Sequence, residues 1–290
     1  MMKVIILVPI YNDWKSVSKL IEEINSKVSN LKCQVSIIII NDASIEQKSI
    51  YVPNLENIQS VKIINMKENR GHARCIAAGL KYIFEKEEFD YVIPMDGDGE
   101  DRPEEIKNFV EHIKFNPNRT IVGERVKRSE GLFFKFCYEV HKILTFAFTG
   151  QSIKFGNYTC LPRSTVEKMI NDKATWSSFS GALAKVEKEK SIVPSIRGSR
   201  YFGPSKMSFK NLIIHSLAII SVFKINVLVR SILFLAVYMF LIRQNITPIM
   251  FIPLALIIVL LASIFSISRR ENLEALNNSL SNISSIDNIK

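Results

Sequence analysis

The chain has 290 residues and a formal net charge of +10, with 38 Lys and Arg against 28 Asp and Glu. This length allows one substantial α/β domain and an appendage. The hydrophobic fraction is 47%, and the apolar residues concentrate between Lys210 and Ile267, which argues against a purely soluble chain. A basic balance indicates an anionic partner, and the apolar segments favour a membrane surface or phosphorylated substrates over nucleic acid.

The first 115 residues alternate between apolar, β-prone runs and helical patterns. Predicted strands cover residues 4–8, 35–40, 61–64 and 91–95, the first ended by Pro9. Predicted helices cover residues 14–29, 71–84 and 104–115. Strands that are apolar on both faces and alternate with helices predict a mostly parallel sheet covered on both sides. Ligands of such doubly wound folds bind beyond the carboxyl ends of the strands.

The remaining residues predict a fifth strand at 120–123 and then membrane-associated helices. Residues 132–148 are aromatic with basic insertions, a composition that fits either a helix in the membrane interface or an amphipathic core helix. Residues 212–223 predict a helix that skims the membrane. Residues 225–242, if Arg230 snorkels, and the uncharged residues 248–267 are long enough to cross a bilayer. We expect the polar tail, from Asn272 onward, to be poorly ordered beyond a short helix.

The flanking charges and the cysteines indicate where the chain resides. Basic residues lie outside the predicted hairpin, which places both termini in the cytosol by the positive-inside rule. The apolar run at the N-terminus is too short for a signal peptide, so we expect a cytosolic first domain. The spacing of the four cysteines predicts neither a zinc site nor a disulfide framework, and we expect free thiols in a reducing compartment. The cysteines are Cys33, Cys75, Cys137 and Cys160.

Carboxylates cluster directly after the fourth predicted strand. Asp96, Asp98, Glu100 and Asp101 lie within six residues, and like charges this close repel each other unless a cation lies among them. Oxygen ligands suit Mg²⁺ or Mn²⁺, which share their coordination with substrate phosphates. The alternative is a solvated acidic turn, since Asp and Gly are common turn residues.

Polar segments also follow the first three predicted strands. The first contains Pro9, Tyr11 and Asp13, the second contains Asp42, and the third contains Asn69 and Arg74. With the acidic cluster, this ordered set resembles the family 2 glycosyltransferases with the GT-A fold, over residues 4–210. The resemblance implies that the residues of these three segments, with Asp96, bind a nucleotide-sugar, and that Asp96, Asp98 and Glu100 surround the metal.

Within that family, the arrangement looks most similar to the polyprenyl-phosphate glycosyltransferases, such as dolichyl-phosphate mannose synthases and undecaprenyl-phosphate sugar transferases. Residues 122–125 resemble their Val-x-Gly-x-Arg segment, and residues 200–206 resemble their Arg-x-x-Gly-x-Ser-Lys segment before the membrane. The resemblance implies that Asp96 and Asp98 serve catalysis. Arg125, Arg200 and Lys206, with Arg128 as a further candidate, would cradle phosphate, since Arg pairs with phosphate bidentately. Simple contact with anionic headgroups is the alternative for these cations.

One segment departs from the family pattern. Residues 156–159, Gly-Asn-Tyr-Thr, stand where many of these enzymes have Asp-Phe-Arg. An anionic lipid phosphate needs positioning and charge pairing rather than a strong base. A hydroxyl acceptor needs a carboxylate base within reach, and Asp98, Glu100 and Asp101 are the nearest candidates.

Together these observations predict an α/β GT-A domain at residues 1–210, a juxtamembrane helix and two transmembrane helices at 211–268, and a polar cytosolic tail at 269–290. We expect an inverting, Mg²⁺- or Mn²⁺-dependent transferase in a bacterial-type inner membrane, which moves a sugar from a nucleotide-sugar to a polyprenyl phosphate. A transferase acting on a saccharide or glycolipid hydroxyl is the alternative. A non-catalytic scaffold that binds nucleotide or anionic lipid is a third hypothesis, against which the intact acidic cluster argues. Apolar helices such as residues 132–148 leave a homo-oligomer open.

Overall fold

The computed structural model describes residues 1–50, 54–127, 132–204, 208–244 and 247–290. Its eight strands, numbered along the chain, are β1 (Met2–Ile10), β2 (Cys33–Asn41), β3 (Ser60–Met66), β4 (Tyr91–Pro94), β5 (Thr120–Lys127), β6 (Phe155–Pro162), β7 (Lys190–Ile196) and β8 (Ile283–Asn288). They form one sheet in the order β7-β5-β6-β4-β1-β2-β3-β8. The predicted α/β class with a mostly parallel central sheet is confirmed.

The helices lie on both faces of this sheet and, later in the chain, beside it. They are α1 (Trp14–Lys27), α2 (His72–Lys86), α3 (Ile106–Phe115), α4 (Leu132–Thr149), α5 (Arg163–Ile170), α6 (Phe179–Val186), α7 (Phe209–Ser221), α8 (Lys224–Ile242), α9 (Ile252–Ser268) and α10 (Leu273–Asn277). Short 3-10 turns cover Pro103–Glu105, Lys173–Trp176, Pro248–Phe251 and Ser279–Asn282.

The central strands are buried on both faces because helices cover each of them. Alternate side chains of a strand point to opposite faces. Ile6 and Val8 of β1 therefore belong to the core shared with α1 and α3, whereas Ile5 and Leu7 belong to the core shared with α2, α5 and α6. The continuous apolar runs in the sequence follow from this double burial.

Strand direction brings several chain segments to one edge of the sheet. The strands β1 to β4 are parallel, and β7 is parallel to β5, while β6 runs antiparallel between β5 and β4. The carboxyl ends of β1, β2, β3, β4, β5 and β7 and the amino end of β6 therefore share this edge. The prediction that Pro9 ends the first strand was wrong, because β1 continues through Pro9, opposite Ile40, to Ile10.

Among the described residues, two helices are long and apolar enough to cross a membrane: Lys224–Ile242 and the stretch that begins at Pro248. The predicted membrane hairpin therefore corresponds to α8 and α9. The side chain of Arg230 binds the end of α4, since its Nη1 donates to the carbonyls of Phe146 at 3.4 Å and Ala147 at 3.0 Å. Asn226 Nδ2 donates to the Thr149 carbonyl at 3.2 Å. Because the last carbonyls of a helix lack intrahelical partners, α8 caps the end of α4.

The C-terminal tail is ordered, contrary to the prediction. After α10 the chain returns to the sheet, and β8 pairs antiparallel with β3. Leu276 of α10 is fully buried against Ala77 and Trp176. Sequence patterns missed this because β8 is polar and lies at the sheet edge, where only one face meets the protein.

Candidate functional site

The loops after β1 and β2 form one side of the site and are joined by hydrogen bonds between backbone N–H groups and side-chain oxygens. The Asn12 backbone N–H donates to Ser44 Oγ at 2.8 Å, and Asn12 Oδ1 accepts from the N–H groups of Ile45 and Glu46 at 2.9 and 3.1 Å. Asn12 and Ala43 both have positive φ, 50° and 55°. The left-handed conformation is unfavourable for Ala. The hydrogen bonds between the two loops therefore help to hold Ala43 in it.

Asp42 begins the second loop and joins it to α2. Its two carboxylate oxygens accept from the N–H groups of Arg70 at 2.9 Å and Gly71 at 2.8 Å. Asp42 is 4% exposed, and burial raises the pKa of its carboxyl, against the effect of the two backbone donors. Asp42 thus fixes the turn before α2. Asn69 lies in this turn, and Arg74 lies in the first turn of α2.

The acidic cluster lies in a tight turn after β4. Asp101 Oδ2 accepts from the Asp96 N–H at 3.0 Å, and Asp98 Oδ1 accepts from the Glu100 N–H at 2.9 Å. Gly99 has φ +87°, a conformation that glycine adopts without steric cost. The ring of Tyr201 occupies the position that a Cβ atom would need at this glycine.

Two arginines from the segment after β7 reach into this cluster. Arg200 Nη1 donates to Asp98 Oδ2 at 2.5 Å, and Nη2 donates to Asp13 Oδ2 at 2.8 Å. Arg197 Nη2 pairs with Glu100. The segment is also held by its backbone, since the Tyr201 N–H donates to the Asp98 carbonyl at 2.9 Å. Arg200 therefore joins the loops after β1 and β4 from a position that precedes the apolar helices.

The carboxyls of the cluster differ in their pKa. Burial raises the pKa of Asp98, and the negative charge of Asp96 raises it further. Burial and Asp96 likewise raise the pKa of Asp101, to about 7. Burial opposes ionisation of Asp96 too, but His72, Arg197 and Arg125 together hold its pKa below the usual range. The cluster thus contains one carboxylate that stays ionised beside carboxyls that resist ionisation.

The donor atoms suit a hard divalent cation, although a cation would have to complete the arrangement. Asp96, Asp98 and Glu100 supply oxygen ligands, and the mutual repulsion that raises the pKa of Asp98 is relieved by a cation. In the described parts of the chain, no three His, Cys, Asp or Glu side chains already converge on one point. Arg200 and Arg197 pair with Asp98 and Glu100 instead, so a metal would displace or share these pairs.

The departure at Asn157 has a visible consequence. Its Nδ2 lies 2.7 Å from His72 Nε2 and 3.4 Å from Asp96 Oδ1, and His72 Nε2 is itself 3.4 Å from Asp96 Oδ1. Asn157 lies near the amino end of β6, and His72 is the first residue of α2. An amide and an imidazole thus occupy the wall beside Asp96.

Most of the predicted residues lie along the same edge of the sheet. Arg125 lies against Gly156, and its Nη2 is 2.8 Å from the position that a Cβ atom would occupy on this glycine. Arg74 lies over the Trp176 ring at 5.7 Å. Tyr11 is 41% exposed beside the site, and Asn69 is exposed to solvent. The predicted residues Lys206 and Arg128 lie outside the described residues.

Sequence patterns did not find Arg197 or the partners of Asn157. Arg197 follows β7, a strand that carries an alternating burial pattern around Pro194. Recognising residues 190–196 as a strand would have placed both Arg197 and Arg200 after a strand end, where the other site residues were found. The pairing of His72 with Asn157 joins residues 85 positions apart and leaves no local signal.

Comparison with known families decides how this arrangement is classified. A family model described as glycosyl transferase family 2 matches residues 5–174. The chain belongs to this family. The match ends before the segment with Arg197 and Arg200, and before the apolar helices.

Curated relatives extend the similarity. Undecaprenyl-phosphate 4-deoxy-4-formamido-L-arabinose transferase of Klebsiella pneumoniae (strain 342) is 26% identical over 219 residues, which cover 73% of this chain and 64% of the relative. The chain therefore spans just under two thirds of that relative's length.

Solved structures show the same fold at low identity. Glucosyl-3-phosphoglycerate synthase from Mycobacterium tuberculosis, in complex with Mn²⁺, UDP and glucosyl-3-phosphoglycerate, has a TM-score of 0.57 at 13% identity, covering 78% of this chain and 80% of that one. S. aureus TarS 1-349 in complex with UDP-GlcNAc has a TM-score of 0.51 at 12% identity, covering 79% and 70%. The expected GT-A fold is thereby confirmed.

Proposed function

We propose that this protein is an inverting glycosyltransferase, which moves a sugar from a nucleotide-sugar to a polyprenyl phosphate at the cytosolic face of a membrane. The observation that carries the proposal is the acidic cluster closed by Arg197 and Arg200, two cations on the segment that leads to the apolar helices. The Klebsiella pneumoniae relative, named for its action on undecaprenyl phosphate, supports the choice of acceptor.

The nucleotide-sugar would bind along the loops after β1, β2 and β3. The candidate residues in these loops are Pro9, Tyr11, Asp13, Asp42, Asn69 and Arg74. Buried Asp42 fixes the turn before α2 and keeps it in place before the ligand arrives, and such preorganisation lowers the cost of binding. The two solved relatives that bind UDP or UDP-GlcNAc support a nucleotide at this edge.

Asp96, Asp98 and Glu100 would hold Mg²⁺ or Mn²⁺. The ion would neutralise the negative charge that develops on the departing diphosphate. Arg200 is suited to the same diphosphate, because its Nε–H is buried and has no hydrogen-bond partner among the described residues. Guanidinium groups pair bidentately with phosphate oxygens, so this N–H offers a donor to an anionic ligand.

A lipid phosphate is already anionic at neutral pH, so the protein must position it rather than remove a proton from it. Arg125, whose guanidinium lies against Gly156 and whose charge lowers the pKa of Asp96, is a candidate for this positioning, and Lys206 is a second. The neutral side chain of Asn157 fits an acceptor that needs no acid or base at this place.

The alternative is transfer to a saccharide or glycolipid hydroxyl. Asp101 favours it, because a buried carboxyl with a pKa of about 7 is matched to general base catalysis near neutral pH. Which acceptor is used separates the two functions.

The apolar hairpin supports a membrane topology with both termini in the cytosol. Lys224 Nζ at the start of α8 lies 3.4 Å from Glu271 Oε2 after α9, and β8 then joins the catalytic sheet. The segments on either side of the hairpin therefore lie together, on the side of the catalytic domain.

The first test is transfer of radiolabelled sugar from a panel of nucleotide-sugars into lipid, using full-length protein, undecaprenyl phosphate and Mg²⁺ or Mn²⁺. We expect metal-dependent label in an acid-labile lipid. Asp98→Asn should lower the rate by at least about 100-fold, since it removes charge from the reacting centre. Glu104→Gln, an exposed acidic residue paired with Arg102, is the matched control and should keep activity.

Two results would contradict the proposal. If labelled sugar appears only on added saccharide or glycolipid, the hydroxyl alternative holds. Full activity in Asp98→Asn would remove Asp98 from the mechanism, whereas no transfer to any acceptor by the wild-type protein would leave the scaffold hypothesis standing.

A further inference from the structure

The polar tail strand contacts the side of the sheet that carries the proposed nucleotide site. In β8, Ser285 Oγ and Asp287 Oδ2 both accept from Asn65 Nδ2, at 2.9 and 3.0 Å. Asp287 Oδ2 also accepts from Lys48 Nζ at 2.6 Å. Lys48 belongs to the β2 loop, which we define as residues 42–48. The last strand of the chain therefore contacts this loop directly.

A second connection runs through the side chains of β3 and β2. Asn65 Oδ1 accepts from Asn41 Nδ2 at 2.9 Å, and Asn41 Oδ1 accepts from the Ser44 N–H at 3.0 Å. Ser44 Oγ in turn accepts from the Asn12 N–H at 2.8 Å. This series of bonds, the amide relay, leads from the tail strand to the loops after β2 and β1.

The direction of the amide relay is fixed at both ends. The Ser44 backbone N–H can only donate, so Asn41 must present its oxygen there and its NH₂ to Asn65. Asn65 must then accept with its oxygen and donate with its NH₂, and an ionised Asp287 can only accept. Neither amide can flip without losing a bond, and an unpaired buried polar group is costly. Asn41 is 7% exposed, so water has little access to replace the bond.

The amide relay ends beside Ala43, a residue with an unfavourable backbone conformation. Asn41 immediately precedes Asp42, and Ala43 holds a left-handed φ of 55° between Asp42 and Ser44. Asp42 and the β2 loop are the part of the site assigned above to the nucleotide. The amide relay therefore connects the tail strand to these residues by hydrogen bonds.

We propose that Asn65 and Asp287 are positioning residues, with which the C-terminal strand holds the β2 loop in the conformation that binds the nucleotide. The effect of the strand on the loop is inferred from the hydrogen bonds alone. The effect on nucleotide binding rests in addition on the proposed function.

The test uses Asn65→Asp, which sets a second carboxylate against Asp287, where like charges repel. In full-length protein without ligand, we expect amide hydrogen exchange at Ser44 and Ile45 to rise about tenfold, the effect of losing one hydrogen bond. The affinity for UDP or GDP with Mn²⁺, measured by calorimetry, should fall by a similar factor. In transfer assays KM for the donor should rise while kcat changes little.

A double variant separates positioning from general damage to the sheet edge. Combining Asn65→Asp with Asp287→Asn places an amide opposite a carboxylate again, and the new carboxylate still accepts from Asn41. The ion pair of Asp287 with Lys48 is lost, so the recovery is expected to be partial. We expect exchange and affinity to return toward the values of the wild-type protein. Asn288→Ala, an exposed residue of the same strand, is the control and should change neither quantity.

The outcomes distinguish this inference from the proposed function. Unchanged exchange and affinity in a folded Asn65→Asp protein would overturn the inference, as would a double variant no better than the single one. Should Asn65→Asp fail to fold, Asp287→Ala at the exposed end of the relay tests the same exchange and affinity. If the wild-type protein binds none of the nucleotides, the donor site is wrong, while hydrogen exchange still decides whether the tail holds the loop.

Discussion

Single residues decide how closely the acidic turn can approach the arginine segment. Gly99 combines a positive φ with the contact to the Tyr201 ring, and that ring cannot move freely. Its hydroxyl donates to Glu23 Oε2 at 2.6 Å, and Lys19 Nζ lies 4.6 Å from its centroid. The turn that carries Asp98 and the segment that carries Arg200 are therefore fitted to each other through a residue without a side chain.

We predict that Gly99→Ala destabilises the protein by about 2–5 kcal/mol, the sum of a left-handed alanine and an overpacked contact. Gly203 is the matched control, because it also has positive φ, +69°, but nothing lies within 4 Å of its Cβ position. Gly203→Ala should cost only about 1–2 kcal/mol. Thermal unfolding of both variants in detergent measures the difference, and equal losses would show that the Tyr201 contact is unimportant.

At the residue scale, sequence patterns found the acidic cluster and Asp42 because each follows an apolar run within a few positions. They did not find the partners. Arg197, His72 and Asn65 act through residues far away in the chain, and the sheet order that joins them is set by the whole core. The raised pKa of Asp101 was equally out of reach, because it depends on burial and on the charge of Asp96.

At the scale of elements, the tail is part of the domain that carries the candidate site. The domain boundary predicted at residue 210 describes where apolar sequence begins, but β8 and α10 return to the fold that ended there. β8 covers the edge of β3, and exposed strand edges promote aggregation. Polar composition suggested a disordered tail because it carries no apolar period, whereas the stability of an edge strand comes from backbone pairing.

We predict that removing residues 272–290 is more damaging than removing the apolar hairpin. The truncation loses β8 and buried Leu276, a side chain whose burial contributes about 1.5–3 kcal/mol. Replacing residues 226–268 with a short Gly/Ser linker keeps these contacts, because the two flanks lie together, with Lys224 Nζ 3.4 Å from Glu271 Oε2. It loses only the hydrogen bonds that Asn226 and Arg230 donate to α4, and the apolar packing of α8 and α9.

Nucleotide binding and size-exclusion chromatography of the two variants measure this difference. The linker variant should stay monodisperse and bind nucleotide in the manner of the full chain. The truncated protein should aggregate. A well-behaved truncation would show that the tail strand is dispensable.

At the scale of the whole molecule, the +10 charge and the hairpin suit an enzyme that faces an anionic membrane surface. In the proposed topology the tail and the catalytic domain share the cytosolic side, and the connection between α8 and α9 lies on the other side. The exposed residues Ser281 and Gln244 mark these two places.

We predict that an impermeant maleimide added to spheroplasts labels Gln244→Cys and leaves Ser281→Cys unlabelled until the membrane is opened. Labelling of the parent chain, which has four cysteines, gives the background. The reverse pattern would invert the topology, and labelling of both positions in sealed spheroplasts would rule out the hairpin.

The position of β8 at the end of the chain has a consequence for synthesis. A ribosome produces the chain from its N-terminus, so the two apolar helices emerge before the strand that completes the sheet. In the proposed topology, a hairpin inserted during translation reaches the bilayer before β8 can pair with β3. The strand proposed to hold the β2 loop would then join the sheet last, so on these proposals the donor site takes its final form at the membrane.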